Sequence, residues 1–439
     1  MLGELLIELH SEEIPARMQQ RAAEELTRLV GDALAKAGLP PTETKAYATP
    51  RRIALVARGL PRMQADMVDE RKGPRVGAPE AAIQGFLRGA GLDSLEQCEK
   101  RDAGKGEVWF AVIKRPGRPT LDVLQDILPE ALAQMPWPKS MRWADHALRW
   151  VRPLHSIICI FESQVVPFRF GHLTAGDTTV GHRFLAPKHF AVRDEADWAR
   201  SLRAAYVEPD YAERRALILK DAAFAAAAEN LVLVEDAGLA DEVAGLVEHP
   251  VVLLGAIPPE FMAVPREVLT TAMRTHQKYF ALNDAAGKLA PRFVIVANML
   301  TNDGGRQVVA GNERVLAARL SDAKFFWDQD RRQRLDARLP QLAEIVFHAK
   351  LGTVADKSHR VERLAFEIAT QLGADTKMAR RAAALAKADL VTGMVGEFPE
   401  LQGIMGHYYA REDGEPGQVA DAIALHYAPQ GPNDYVPTD

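Results

Sequence analysis

Cysteine is nearly absent: Cys98 and Cys159 are the only two in 439 residues, they lie far apart, and neither belongs to a Cys-x-x-Cys pair. That usage excludes a disulfide framework and a thiolate zinc site, and it fits a reducing cytoplasm. Long apolar runs are missing too. No stretch approaches the ~18 residues that a membrane span needs, and the amino terminus passes from a strand-like segment straight into charge instead of a basic-then-apolar leader. The expectation is a cytoplasmic chain with no membrane partner. A Walker loop, a Rossmann glycine fingerprint and a Gly-x-Ser-x-Gly elbow are each missing, which argues against common nucleotide and acyl chemistry. Gly104-Lys105-Gly106 is too short for a phosphate loop and reads as a hairpin turn.

What is there is ordinary globular material. With 47% hydrophobic and 26% charged residues, the composition supports folded structure nearly throughout. A chain of 439 residues implies about two to four domains. The net charge of −5 does not announce nucleic-acid binding, yet screening over ~8 Å makes charge a local matter. Arg51 to Arg75 contains seven basic residues against three acidic ones, and from Ala410 onward six carboxylates face Arg411 alone. A basic face can therefore coexist with an acidic whole.

Strand and helix signals alternate at the front. Glu4–His10 reads as a strand, Pro15 opens an amphipathic helix that Gly38 closes, and strands follow at Thr44–Ala48 and Arg52–Ala57. Gly73–Pro79 breaks the pattern before a helix over Ala81–Arg88, a strand at Val108–Lys114 and a helix over Leu121–Gln134. Ser156–Phe161 and Val165–Phe170 read as strands, Trp198–Tyr206 and Tyr211–Glu229 as helices, and Val251–Asn298 as a mixed block that sets His276–Ala281 near a strand. Val309, Leu316, Leu320, Ala323 and Trp327 fall close to one helical face, and helical patterning continues through Leu351–Leu372 and Met378–Val391. The organisation predicted is α+β, with a mixed α/β region over 1–135, a second over 136–340, and a helical region over 341–439.

Cations recur beside aromatics and amides. Arg274, His276, Gln277 and Lys278 precede Tyr279 and Phe280, a grouping able to hydrogen-bond phosphate and stack on a base. If the segment is a strand, His276, Lys278 and Phe280 face away from Gln277 and Tyr279. A solvated edge with two core aromatics is the alternative. Thr49-Pro50-Arg51-Arg52 places two guanidinium forks after a stiff turn, and Lys139-Ser140-Met141-Arg142-Trp143 sets cations beside an indole. Surface salt bridges are the competing reading for both. No nucleophile–base pair appears among these groups. His348, His359 and His407 lack a spacing that converges on one metal ion, so no metal site is assigned.

Several ordered blocks together carry a family resemblance: Leu5–Ala16 (LLIELHSEEIPA), Ala48–Ile53 (ATPRRI), Lys139–Trp143 (KSMRW), Gly181–Phe184 (GHRF), His276–Phe280, Gly311–Val315 (GNERV) and Leu351–Lys357 (LGTVADK). The chain resembles the beta subunit of the bacterial heterotetrameric glycyl-tRNA synthetase over essentially its whole length. The resemblance implies assembly as two alpha and two beta chains. The alpha subunit would form glycyl-adenylate with ATP and Mg2+, and the beta chain would engage tRNA(Gly), with no catalytic residue and no bound cofactor of its own. It also implies an editing-module-like (B3/4-like) fold in the front part and an incomplete, all-α HD-like domain at the end, cut short of further helices and an anticodon-binding domain. Lys357 stands where the first HD histidine would align, and Ala388 precedes Asp389, so the metal-binding pattern is broken. Candidate tRNA contacts, chosen by chemistry and motif, are Arg51, Arg52, Lys139, Arg142, Arg183, Arg274, His276, Lys278 and Arg314. An editing-type or HD-type hydrolase acting on mischarged tRNA or phosphoesters is the alternative function, and a pure assembly scaffold is a third.

Overall fold

The computed structural model describes residues 2–102, 104, 106–432 and 434–438; the predicted turn at Gly104-Lys105-Gly106 includes Lys105, which lies outside the described residues. The chain forms two compact units, Met1–Ala216 with Asp241–Pro250, and Leu217–Ala240 with Val251–Asp439. Both mix helix and strand.

The first unit is built on a five-stranded antiparallel sheet in the order Glu43–Thr49, Arg52–Pro61, Leu2–Ser11, Leu154–Phe161, Gln164–Val165. Successive side chains of Leu2–Ser11 alternate between two covered faces. Leu5, Ile7 and Leu9 join Leu26 and Val30 of helix Ala16–Lys36 and Leu124 and Leu128 of helix Thr120–Ala133. Leu6, with Ala54, Val56 and Ile158 of neighbouring strands, packs on Trp198 and Leu202 of helix Glu195–Ala204. Burial on both sides explains why Leu5-Leu6-Ile7 is a run and not an alternation. It also means that Glu8 and His10, on the Leu6 side, enter an interior. Met67–Arg75, Glu107–Arg115 and Cys98–Asp102 form a separate three-stranded sheet. The predicted break at Gly73–Pro79 lies partly within this sheet as a register irregularity between Lys72 and Arg75, where Pro74 cannot donate to the ladder. The predicted strand Val165–Phe170 is two short pieces, Gln164–Val165 and Arg169–Phe170, parted at Pro167 for the same reason.

The second unit holds a four-stranded antiparallel sheet, Val232–Leu233, Phe280–Asn283, Leu289–Ala297 and Val251–Ala256. Its apolar core is shared with helices: Phe293 and Ile295 belong to one cluster with Leu316, Leu320 and Trp327 of helix Arg306–Asp330 and with Leu385, Met405 and Ile423 further on. That single core runs through the sequence on both sides of Pro340. Helix Val354–Leu372 starts at a capping box in which Thr353 and Asp356 satisfy each other's backbone N–H groups, and it stops at Gly373 in the left-handed conformation. The predicted helix Met378–Val391 is shorter, Thr376–Leu385 followed by a 3-10 turn at Ala388–Val391. The segment expected to behave as a strand around His276 does not: Ala272–Gln277 is a π-helical continuation of helix Arg266–Thr271, and Lys278 is left-handed at φ 60°. The strand starts at Phe280. Alternation between faces therefore does not apply to His276, Gln277 and Lys278.

Candidate nucleic-acid interface

Beneath the LLIELHSEEIPA, ATPRRI and GHRF blocks lies a buried charge centre. Arg52 is 1% exposed; its guanidinium is ion-paired to Glu248 and donates to the Val180 carbonyl, and its Nε lies 3.4 Å from Glu8 Oε2. Thr49 Oγ1 also donates to Glu248, and Glu8 accepts from Thr179 Oγ1 and, at 2.6 Å, from Trp198 Nε1. Two carboxylates share one guanidinium. Burial pushes the Glu8 carboxyl above its ordinary range, against the pull of Arg52. Burial acts the same way on Glu248, but the Arg52 charge and the Thr49 hydroxyl bring it below its usual value. Neighbouring His10 is forced neutral by burial and then by Arg52 and Arg51, its pKa falling to about 2. The sequence placed Arg52 among the tRNA contacts; the structure places it in the core, enclosed by protein acceptors.

Arg51, also largely buried, sits at the edge of this centre, 3.6 Å from Glu12. Outward from it come Glu12, which bonds His155 Nε2 at 2.9 Å, and Arg183, paired to Glu13. His182 is buried and its Nδ1 accepts the N–H groups of Phe184 and Leu185, which fixes the turn from which Arg183 and Phe184 project. Phe184 is 65% exposed, with the Arg183 guanidinium 5.2 Å from its ring centroid. An exposed aromatic under a guanidinium is a surface on which a base can stack. Phe184 and Glu248 were missed by the sequence reading; the exposed aromatic next to arginine in GHRF was the available signal for the first.

A second cationic surface lies at the start of helix Ala16–Lys36. Arg17 and Arg21, one turn apart, border a cavity of about 240 Å³ together with Lys139 and Trp137, over a floor of Met18 and Met135. Arg17, Arg21 and Lys139 are exposed and, among the described residues, have no carboxylate within ion-pair distance. Arg142 is likewise exposed, three residues along. The sequence reading found Lys139 and Arg142 but not Arg17 and Arg21, whose four-residue spacing brings them to one helix face.

In the second unit Arg274 is ion-paired to Asp236, so part of its charge is already matched. His276 is exposed, its ring 5.7 Å from that of Phe398, and Lys278 is half-buried. In GNERV the exposed cation is Arg314, while the two polar residues before it turn to the protein: Asn312 accepts the Tyr279 hydroxyl, and Glu313 accepts the Ala256 N–H at 2.7 Å. Near the end of the chain Asp389 is buried, with Oδ2 accepting the N–H groups of Gly403 and Gly406. Among the described residues no three His, Cys, Asp or Glu side chains converge as metal ligands, and no helix is long and apolar enough to cross a membrane.

Comparison with known proteins agrees with the motif blocks. A family model described as "Glycyl-tRNA synthetase beta subunit" matches residues 5–439. A glycine--tRNA ligase beta subunit of Rhodospirillum centenum is 56% identical over 100% of this chain and 65% of its own length. Those of Ruegeria sp. and Phenylobacterium zucineum are 50% and 52% identical over 100% and 99% of the chain, again across 65% of their length. The chain thus spans just under two thirds of these relatives, at 65%.

Proposed function

Because this chain belongs to the glycyl-tRNA synthetase beta subunit family, we propose that it engages tRNA(Gly) and supports glycylation whose bond-making is performed by an alpha subunit. Holding the acceptor strand near another chain's adenylate can remove much of a bimolecular barrier without a covalent role for the holder. The observation that carries this reading is the group Arg17, Arg21 and Lys139, cations without carboxylate partners around an apolar cavity with Trp137. Phosphates would meet the cations and an unstacked base the apolar floor.

On this reading the contacts are made by Arg17, Arg21, Lys139, Arg142, Arg183 and Arg314, with His276 in the π-helical turn and Lys278 at its end. Arg52 serves by holding Glu8 and Glu248 in the interior, and Arg51 by anchoring Glu12 at its edge. Two such chains would join two alpha chains in the cytoplasm, and ATP and Mg2+ would be handled by the alpha chains. Residues 1–135 and 136–340 would supply the editing-module-like (B3/4-like) part and 341–439 the HD-like part. The test is glycylation of tRNA(Gly) with the alpha chain alone, this chain alone, and the two together. Glycyl-adenylate formed by this chain alone overturns the division of labour.

A further inference from the structure

Helices Val354–Leu372, Thr376–Leu385 and Gly417–Leu425 line an open cavity of about 470 Å³. Its walls are mostly alanine and Val361, and its polar end is made by Lys357, Ser358, Lys387, His426 and Tyr427. The tautomer of His426 is set by its neighbours. Nδ1 lies 2.7 Å from the Ile423 carbonyl, which can only accept, so Nδ1 holds the proton and Nε2 offers a lone pair to the Lys387 ammonium at 2.7 Å. Lys387 also lies 3.6 Å from the Tyr427 ring centroid, and Lys357 4.2 Å from that of Phe347.

Neither lysine has a carboxylate within ion-pair distance among the described residues. Asp389, the acid that acts on Lys387 from nearby, spends Oδ2 on the Gly403 and Gly406 amides, and its Oδ1 is buried without a hydrogen-bond partner among the described residues. Ser358 is 6% exposed, and its hydroxyl has no hydrogen-bond partner among the described residues. Burial, then the charge of Lys357, lowers the Lys387 pKa to about 8. Two ammonium groups facing one cavity with no carboxylate in direct contact repel each other, and a buried hydroxyl without a partner carries a desolvation cost. An anion between them relieves both. A phosphoryl group has the charge to match two lysines and enough oxygens to accept from both and from Ser358. The cavity is larger than the phosphoryl group, and the remaining wall is apolar.

We propose that this cavity binds a small phosphomonoester, its dianionic head held by Lys357, Lys387 and Ser358 and its apolar body lying against Val361 and the surrounding alanines. None of the residues lining this cavity is among the tRNA contacts proposed above. Titration calorimetry in a phosphate-free buffer, with phenyl phosphate as the probe and phenol as the body without the charge, tests it on the whole chain. Phenyl phosphate should bind saturably and phenol should not. Lys387→Gln and Lys357→Gln should each weaken binding about tenfold or more, the scale of a charge-assisted hydrogen bond. Thermal unfolding of each variant establishes that it is folded before its affinity is compared with the parent's. Absence of phenyl phosphate binding, equal binding of phenol, or undiminished binding in both folded variants overturns the proposal. If one variant fails to fold, the other decides.

Discussion

Thr49 Oγ1 donates to Glu248 Oε1 at 2.8 Å, joining two buried side chains 199 positions apart in the chain. The same carboxylate is the ion-pair partner of Arg52. Glu248→Ala would leave Arg52 with only Glu8 and a carbonyl in an interior, and breaking a buried pair by removing one partner costs about 3–5 kcal/mol. Urea denaturation should show a loss of that order. A loss below about 1 kcal/mol would mean that water reaches Arg52 and the centre is not enclosed.

His10 makes acid stability a second readout. Its imidazole, surrounded by Arg51, Arg52, His155 and His189, is held at a pKa of about 2, below the unfolded value of ~6.5. Below about pH 6.5 the unfolded chain binds a proton that the folded one refuses, so stability falls as pH falls. At pH 5 the contribution is about 2 kcal/mol. Glu8, whose carboxyl is raised, acts with the opposite sign, its stabilising share being present at low pH and lost as pH rises. Comparing His10→Gln with the parent isolates the imidazole. The parent should lose more stability than the variant between pH 7 and pH 5, and parallel curves would remove His10 from the account.

Asp330 plays a corresponding part in the second unit. Its carboxylate accepts from the N–H groups of Gly393 and Met394 and from the Tyr409 hydroxyl, each at 2.9 Å. Arg338, also buried, donates to the Asp330 carbonyl at 2.8 Å. Asp330→Ala orphans several buried donors at once and should cost about 3 kcal/mol or more. Hydrogen exchange at the Gly393 and Met394 amides should accelerate markedly. Unchanged protection there would show that the two amides are held by something else.

Much of the architecture is readable from periodicity and punctuation. Pro15 and Gly38 bracket a helix that runs Ala16–Lys36, and Glu4–His10 sits inside a strand that runs Leu2–Ser11. What was not readable depends on distant partners or on a one-residue shift of hydrogen bonding. Arg51 and Arg52 look like surface cations because Glu248, which turns Arg52 inward, is 196 positions away. The π-helical turn at Ala272–Gln277 uses residues that a strand edge would also use, so composition gives no sign of it. Gly245 is a similar case: a Cβ there would meet Ala16 Cβ at 2.6 Å, while its carbonyl accepts from Gln19 at 2.7 Å. The need for glycine is clear only once those segments are brought together.

The most direct measurement is the affinity of this chain for tRNA(Gly) across a range of salt, for the parent and for the triple variant Arg17→Glu, Arg21→Glu, Lys139→Glu. Cations bound to phosphates release counterions, so each phosphate-binding side chain removed should flatten the dependence of log Kd on log salt by about one. Weaker binding and a shallower slope are expected in the triple variant, with its thermal unfolding unchanged because all three side chains are exposed. Equal affinity and an equal slope in the two proteins would contradict that expectation.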